Sequence, residues 1–425
     1  MELYPFQVKG LEETKDFNRV AYYWDMGTGK TFMGSEKMER LGAKTNLLIC
    51  QHNKINDWMN HFSDNYDDVL NYDLTDKKEL EEFLTMEVHP PKQKVGIINY
   101  EVVFRRPVLS RLRNFTLILD ESSMIQNEKA KRSKYILDRL HPKNVILLSG
   151  TPTGGKYEKL WSQCRLLGWN ITKTAFWDRY IDYYVWENEG WPVKIIRGYK
   201  NVSELKAKLR EHGASFLKTE DVMDLPEQIF QTIEISPISE YRKFMEKSII
   251  KINNDTLAGN STFKKRMYSR MLCGQYNKNK IGILKTLVQS NDDRMLVFYC
   301  FDGELDVIKD VCKTEGRPLS VVNGKVKDLT NYEKEDNSIM AIQYQAGSMG
   351  LNLQKANKII YFTPPDGMSE AFEQSKKRIH RIGQRSTCFY YYLMVRGTVE
   401  EEIYDTLGVR KERTDRLFKE GRNGR

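Results

Sequence analysis

The stretch WDMGTGKT at Trp24–Thr31 constrains the fold of this chain more than any other. An apolar run, Val20–Tyr23, precedes it, and residues with helical apolar spacing, Phe32–Leu41, follow it, which predicts a strand, a glycine turn and a helix. Glycines let the backbone turn tightly, and a helix that opens at Lys30 adds its positive end. This order is typical of a phosphate-binding loop. The plainer alternative is a glycine-rich turn before an ordinary helix.

The side chains of this stretch suit phosphates that carry a magnesium ion. Lys30 can reach the β and γ phosphates, and the hydroxyl of Thr31 can hold Mg²⁺. The backbone of Gly27, Thr28 and Gly29 would surround the phosphates with inward-pointing N–H groups. We therefore expect these five residues to bind a nucleotide.

A glutamine, Gln7, lies a short distance before the loop. A side-chain amide offers a donor and an acceptor in fixed geometry. The edge of adenine presents a ring nitrogen and an amino group, so Gln7 is a candidate adenine-binding residue. The alternative is an ordinary surface glutamine.

Short apolar strands alternate with helical segments through the first half of the chain, which predicts a parallel sheet in an α/β lobe. The strands are predicted at Val20–Tyr23, Asn46–Cys50, Val95–Asn99, Phe115–Leu119 and Val145–Leu148. Such lobes bind ligands at the carboxyl ends of their strands. At one such end, we predict that Asp120 binds Mg²⁺ through water and that Glu121 orients and deprotonates an attacking water. Without the upstream loop, a solvated acidic turn would be the better interpretation.

A second α/β lobe is predicted from Arg294, and it contains no phosphate loop. Its strands are predicted at Met295–Tyr299, Leu319–Val322, Ile339–Ile342 and Lys358–Phe362. A helix predicted over Phe372–Gly383 carries Arg378 and Arg381, whose spacing of three places both on one helix face. Two guanidinium forks suit phosphate, whereas the alternative is a pair of surface arginines.

The predicted domains are a first lobe at 1–225, an inter-lobe helical region at 226–290 and a second lobe with a basic tail at 291–425. An aromatic-rich insertion begins at about residue 157, and we expect its rings to form a core rather than to stack on bases. A hairpin is predicted to pair Tyr183–Trp186 with Val193–Ile196. A further helix is predicted over Ser239–Ile252.

The length and composition limit the class of protein. A chain of 425 residues is too long for one core, and 40% hydrophobic with 29% charged residues fits a globular protein. Neither a membrane-length apolar run nor a leader segment is seen, so we expect a cytoplasmic location and no membrane partner. The six cysteines lack metal or redox spacing and are expected to be reduced. The net charge of +9 permits polyanion binding.

Together these motifs resemble those of the Swi/Snf family of superfamily two helicase-like ATPases, over roughly Leu3 to Leu417. The matching stretches are LYPFQ (Leu3–Gln7), DMGTGKT (Asp25–Thr31), LDESSMIQNEKAKRSK (Leu119–Lys134), LSGTPTGG (Leu148–Gly155), AGSMGLNL (Ala346–Leu353) and RIHRIGQ (Arg378–Gln384). The last of these is highly specific for the family. The chain departs from the family at Ser123, where relatives usually have a histidine that links hydrolysis to the third motif.

The resemblance implies two RecA-like lobes, an ATP and Mg²⁺ site, and DNA-stimulated translocation along double-stranded DNA. It implies that Arg378 and Arg381 are arginine fingers that reach the γ-phosphate when the lobes close. It also implies that Gly350 of the fifth motif belongs to the nucleotide-binding residues. We expect a monomer and leave open a protein partner that the sequence does not identify.

Two other functions stay open. The chain could be a strand-separating helicase on DNA or RNA, or a nucleotide-switched DNA-binding subunit whose hydrolysis is incidental. The retained Glu121, Arg378 and Arg381 argue against the second. DNA contacts are expected mainly to phosphates. The weak candidates for them are Lys54, Tyr100, Arg105, Lys129 and Arg132.

Overall fold

The chain divides into two units, Met1–Val222 together with Glu412–Arg425, and Met223–Lys411, in the computed structural model. The structure describes residues 2–188, 191–253, 255–344, 346 and 351–419. Residues 226–290, which the sequence predicted as an inter-lobe region, are part of the second unit. Each unit is an α/β structure built on a mostly parallel sheet, as the sequence predicted.

Strands of the first unit alternate with helices along the chain. The strands are β1 (Arg19–Trp24), β2 (Thr45–Cys50), β3 (Val69–Asp73), β4 (Gln93–Asn99), β5 (Thr116–Asp120), β6 (Asn144–Leu148), β7 (Ile181–Asn188), β8 (Trp191–Tyr199) and β9 (Ala214–Leu217). The helices are α1 (Pro5–Glu13), α2 (Lys30–Leu41), α3 (Ile55–Asn65), α4 (Lys77–Thr85), α5 (Lys131–Asp138), α6 (Trp161–Leu166), α7 (Lys173–Tyr180) and α8 (Val202–Glu211). The five predicted strands are confirmed, with ends that differ by at most two residues.

The main sheet of this unit has, among the described residues, seven parallel strands in the order β3-β4-β2-β5-β6-β1-β9. Side chains of β1 alternate between two buried clusters, with Ala21 and Tyr23 in one and Tyr22 and Trp24 in the other. Because both faces are covered, the strands read as continuous apolar runs. The carboxyl ends of β5, β6 and β1 are neighbours at one edge of this sheet.

The predicted hairpin is confirmed, since β7 pairs antiparallel with β8 and Trp186 lies opposite Val193. The prediction that the aromatic insertion forms a core holds for Phe176 and Tyr180, which are 0% and 2% exposed. It is wrong for the hairpin, where Trp186 and Trp191 are 50% and 78% exposed. A two-stranded ribbon that pairs with no other described strand leaves part of its surface in solvent.

The second unit has the same alternation. Its strands are β10 (Gln228–Ile235), β11 (Ile249–Ile252), β12 (Asp255–Ala258), β13 (Met295–Tyr299), β14 (Leu319–Val322), β15 (Lys327–Asp328), β16 (Ile339–Gln343), β17 (Lys358–Tyr361) and β18 (Cys388–Val395). Its helices are α9 (Ser239–Lys247), α10 (Thr262–Cys273), α11 (Lys278–Gln289), α12 (Asp302–Thr314), α13 (Thr330–Lys334), α14 (Ser369–Lys376) and α15 (Val399–Lys419), the last of which continues beyond Lys411. Within the described chain its main sheet has the order β10-β18-β17-β13-β16-β14-β15.

The helix predicted over Ser239–Ile252 is wrong in its second half. Helix α9 ends at Lys247, and Ser248 adopts a left-handed backbone with φ of 56°. Ile249–Ile252 then forms β11, which pairs antiparallel with β12. The isoleucines of this segment favour a strand, and pairing with a neighbouring segment outweighs their helical spacing.

The structure bears on the expectations for the cysteines and for membrane-spanning segments. All six cysteines are free, and all except Cys300 are buried. No helix among the described residues has both the length and the apolar character needed to cross a bilayer.

Candidate active site

The loop after β1 has the backbone that a phosphate cradle requires. Gly27 and Gly29 have φ angles of 84° and 75°, which L side chains rarely adopt. Gly29 also stands directly before α2, which begins at Lys30, as the sequence predicted. A Cβ atom on Gly29 would lie 2.3 Å from Nε2 of Gln7, so a side chain here would displace the Gln7 amide. The backbone angle favours glycine at this position, and the contact adds to that preference.

Gln7 holds the loop from the side of α1. Its side chain is 3% exposed, its Oε1 accepts from the backbone N–H of Tyr4 at 2.9 Å, and its Nε2 donates to the carbonyl of Thr28 at 3.1 Å. The amide is thus already engaged with the loop backbone. The structure places Gln7 against the phosphate loop, and its contact with adenine stays a prediction.

The polar side chains of the loop are held by its own carbonyl groups. Nζ of Lys30 donates to the carbonyl oxygens of Trp24 and Asp25 at 2.8 and 2.9 Å. The hydroxyl of Thr28 donates to the carbonyl of Asp25 at 2.8 Å, and the carboxylate of Asp25 accepts from the backbone N–H of Thr219 at 3.3 Å. These bonds connect the loop to the segment that follows β9.

Asp120 and Glu121 lie at the carboxyl end of β5, as predicted. Glu121 has a φ of 57°, an uncommon left-handed conformation for a residue with a side chain. The hydroxyl of Tyr100 donates to the carbonyl of Asp120 at 3.0 Å. Tyr100 is fully buried, and burial raises the pKa of its hydroxyl well above the usual value. The suggestion that Tyr100 contacts DNA is therefore wrong, because its side chain supports the backbone of the carboxylates.

Two serine hydroxyls bind the carboxylate of Glu121. Ser149, just after β6, donates to Oε1 at 2.5 Å, and Ser123 donates to the same oxygen at 3.1 Å. Hydrogen bonds to a charged acceptor are the stronger kind. Ser123, which departs from the family pattern, therefore bonds to the predicted catalytic carboxylate, as does Ser149 of the third motif.

Asp120 has a neighbour that sequence reasoning missed. The indole N–H of Trp58, in α3, donates to Oδ2 of Asp120 at 2.9 Å. Trp58 is 62 residues away from Asp120 in the chain, and no local pattern distinguishes it from an ordinary core residue. Only the packing of α3 on the sheet brings the two together.

The residues present fit a hydrated Mg²⁺ ion held with a nucleotide. No cluster of three or more His, Cys, Asp or Glu side chains suited to a metal occurs among the described residues. Mg²⁺ usually keeps several waters and binds one or two carboxylates together with substrate phosphates. In the described part of the chain, Oδ1 of Asp120 and the hydroxyl of Thr31 make no hydrogen bond. This oxygen set suits Mg²⁺ beside a phosphate.

The arginines of the second unit do not lie on a helix, contrary to the prediction. Helix α14 ends at Lys376, before Arg378 and Arg381, and the chain continues in turns. Gly383 has a left-handed φ of 93°, and the amide of Gln384 donates to three backbone carbonyls at 2.9 to 3.1 Å. These tertiary bonds fix the turns and outweigh the local helical spacing.

The two arginines differ in their surroundings. Arg378 is 4% exposed, and its Nη1 donates to the carbonyl of Leu351 at 3.3 Å. Among the described residues of its own unit, the guanidinium of Arg381 has no hydrogen-bonding or ion-pair partner, and burial lowers its pKa. Gly350, a predicted nucleotide-binding residue, lies outside the described residues.

The other DNA candidates have mixed surroundings. Nζ of Lys54 pairs with Asp57 at 2.7 Å, and Nε of Arg132 donates to the carbonyl of Met124 at 2.9 Å. Arg105 and Lys129 are exposed. None of these positions is assigned to a ligand by its geometry alone.

Comparison with known proteins identifies the family. The sequence profile of the SNF2-related domain matches residues 14–282, which is more than half of the chain. The chain belongs to the SNF2-related family. The profile of the helicase conserved C-terminal domain matches residues 279–383.

Similar SNF2-related proteins are longer than this chain. The ISWI chromatin-remodeling complex ATPase ISW1 of Saccharomyces cerevisiae is 23% identical, over 98% of this chain and 40% of its own length. The SWI/SNF-related matrix-associated actin-dependent regulator of chromatin subfamily A-like protein 1 of Drosophila melanogaster is 25% identical, over 97% of this chain and 55% of its own. This chain thus spans about two fifths of ISW1.

Among solved structures, the Sulfolobus solfataricus SWI2/SNF2 ATPase core in complex with dsDNA is similar, with a TM-score of 0.46 and 18% identity. That similarity covers 99% of this chain and 94% of the other.

Proposed function

We propose that this chain is a DNA-dependent ATP hydrolase that uses Mg²⁺ and moves along double-stranded DNA. One observation supports the hydrolase more than any other. The carboxylate of Glu121 lies at the end of β5, bonded to Ser149 at the end of β6, in the unit whose next strand, β1, leads into the phosphate loop. A nucleotide-binding loop and a positioned carboxylate at one sheet edge are what hydrolysis of a bound nucleotide needs.

The candidate site residues of the first unit then each have a proposed role in hydrolysis. The amides of the loop from Gly27 to Gly29 bind phosphate oxygens, and Lys30 exchanges its bonds with loop carbonyls for bonds with the β and γ phosphates. Glu121 orients the attacking water and accepts its proton. When bound, Mg²⁺ neutralises charge on the phosphates. Thr31 and Asp120 are the residues that would hold the ion, the latter through water.

Arg378 and Arg381 of the second unit are proposed to stabilise the charge that develops on the transferred phosphoryl group. Arg381 is the stronger candidate, because its guanidinium has no partner among the described residues of its unit. Arg378 is instead buried against the carbonyl of Leu351. A planar fork with free donors is the group best suited to a phosphoryl transition state.

DNA is proposed as the stimulating partner and track of a monomeric enzyme. Membership of the SNF2-related family supports this, since ISW1 is named as a chromatin-remodeling ATPase. The net charge of +9 permits the binding of a polyanion such as DNA. Because protein–phosphate contacts release counterions, binding and stimulation should weaken as salt rises.

ATP turnover with and without nucleic acid tests the proposal. We expect stimulation by duplex DNA that exceeds stimulation by single strands or RNA and that falls with salt, and no turnover by Lys30→Ala. Displacement of a third strand from a DNA triplex tests movement along the duplex. A clear preference for RNA, or efficient unwinding of duplex without triplex displacement, would favour a strand-separating helicase. Nucleotide-dependent DNA binding without turnover would favour a switched DNA-binding subunit.

A further inference from the structure

We propose that Trp58 is a positioning residue for the metal ion, and that it acts together with His61 of the same helix. Its indole N–H fixes one oxygen of Asp120, so that the other oxygen faces the ion and its waters. This inference rests on the proposed function, because it assumes that Asp120 and Thr31 are the metal-facing residues.

The contact between Trp58 and Asp120 is direct and enclosed. The indole Nε1 lies 2.9 Å from Oδ2, and the Trp58 side chain is 2% exposed. An indole N–H can only donate, so Trp58 cannot bind a cation itself. Its bond leaves Oδ1 as the oxygen of Asp120 without a protein partner in the described residues. The bond therefore selects which carboxylate oxygen is available.

His61 connects the same tryptophan to the phosphate-loop helix. The rings of His61 and Trp58 meet edge to face, with centroids 5.5 Å apart. On its other side, the ring of His61 meets Phe32 in the same way at 4.7 Å, and its Nε2 lies 2.9 Å from the hydroxyl of Ser35. Phe32 directly follows Thr31. A continuous set of contacts thus runs from Phe32 through the rings of His61 and Trp58 to the carboxylate of Asp120.

This arrangement has a physical consequence for the metal. Groups that hold the ligands of a metal fix their orientation, and their loss typically weakens metal affinity or activity by about 10–100-fold. A tryptophan that merely filled the core would affect stability without a selective effect on metal binding. The two roles can therefore be separated by measuring metal affinity and nucleotide affinity independently.

The experiment measures binding of Mn²⁺, as a paramagnetic substitute for Mg²⁺, in the presence of a non-hydrolysable ATP analogue. Electron paramagnetic resonance gives the affinity for the ion, and calorimetry in EDTA gives the affinity for the analogue alone. We expect Trp58→Phe to weaken Mn²⁺ binding about 10-fold or more and to change metal-free nucleotide binding less than about twofold. The matched control is Trp161→Phe, which also removes an indole N–H bonded at 2.9 Å, here to the carbonyl of Ile171.

An Mn²⁺ affinity of Trp58→Phe equal to that of Trp161→Phe, in folded protein, would overturn the inference. If Trp58→Phe does not fold, 3-benzothienylalanine at position 58 supplies the test, because it keeps the ring shape and lacks the N–H. The same loss of Mn²⁺ affinity is then expected, and wild-type affinity would refute the inference. Because the readout is binding, a wild-type protein that binds Mn²⁺ with the analogue but does not turn over ATP would refute the proposed hydrolase without refuting the role of Trp58.

Discussion

The hydroxyl of Ser149 donates a hydrogen bond of 2.5 Å to Oε1 of Glu121, from the end of β6 to the end of the neighbouring strand β5. Ser123 donates to the same oxygen at 3.1 Å. The family resemblance of the sequence implies, in place of Ser123, a histidine that links hydrolysis to the third motif. In this chain the carboxylate of Glu121 accepts hydrogen bonds from both serine hydroxyls. A displacement of Ser149 would therefore act directly on Glu121.

Glu121→Gln should retain nucleotide binding and lose hydrolysis. The amide is nearly isosteric with the carboxylate, but it cannot accept the proton of water. Nucleotide affinity and turnover in the presence of duplex DNA measure the two properties separately. Glu81→Gln, on the exposed face of α4, is the control. Turnover of Glu121→Gln at the control rate would exclude Glu121 as the base.

Ser149→Ala should lower turnover more than Ser123→Ala, because its bond to Glu121 is shorter, 2.5 Å against 3.1 Å. Both changes remove a donor that orients the carboxylate, and neither removes a phosphate contact made by Lys30. The measurement is kcat of each variant relative to wild type, at saturating ATP and with duplex DNA present. Equal and unchanged kcat values in both variants would contradict an orienting role for the hydroxyls.

Arg381→Ala should lower turnover by about 10³-fold or more while changing nucleotide affinity less than about tenfold, which is the pattern of an interaction made mainly in the transition state. Arg381→Lys should restore little, since a point charge lacks the planar fork. The measurements are kcat and ATP affinity with DNA present. Normal turnover by Arg381→Ala would remove this residue from the catalytic role. Arg378→Ala is expected to lower the melting temperature as well, because Arg378 is buried.

Protein stability should fall between pH 6.5 and pH 4 partly through His61. Burial lowers the pKa of His61 from 6.5 to about 4, with nearby Asp64 opposing the shift. In this range the unfolded chain binds a proton that the folded chain resists, so the stabilising effect is complete above pH 6.5 and is lost as the pH falls. The difference in melting temperature between pH 7 and pH 5 should be smaller for His61→Gln than for wild type. The same change at exposed His52 should leave that difference as in wild type.

Removal of one partner from the buried pair of Lys280 and Glu400 should lower the free energy of unfolding, whereas replacement of both by apolar residues should restore much of it. Nζ of Lys280 lies 2.7 Å from the carboxylate of Glu400, both side chains are 0% exposed, and burial raises the pKa of Glu400. Glu400→Ala would leave a buried ammonium without its partner and should lower the free energy of unfolding by about 3–5 kcal/mol. The double variant Lys280→Met with Glu400→Leu should recover much of that loss in urea denaturation. A double variant as unstable as the single one would contradict this account.

Local patterns were sufficient for the phosphate loop, for the sheet strands that were predicted and for the carboxylates at the end of β5. The loop needs glycine angles and a helix start within eight residues, and the buried strands are continuous apolar runs. Such features depend on backbone preferences and burial, which neighbouring residues express in the sequence. For the same reason, local sequence was enough to predict roles for Lys30 and Thr31, whereas the role of Glu121 was predicted only together with the upstream phosphate loop.

Contacts between distant segments set the rest. The segment Ile249–Ile252 has helical spacing, but it becomes a strand because it pairs with β12. Arg378 and Arg381 lie in turns because the amide of Gln384 binds three carbonyls. Trp58 reaches Asp120 across 62 residues. In each case the deciding interaction is a tertiary contact, and its free energy exceeds the small local preferences that a sequence pattern reports.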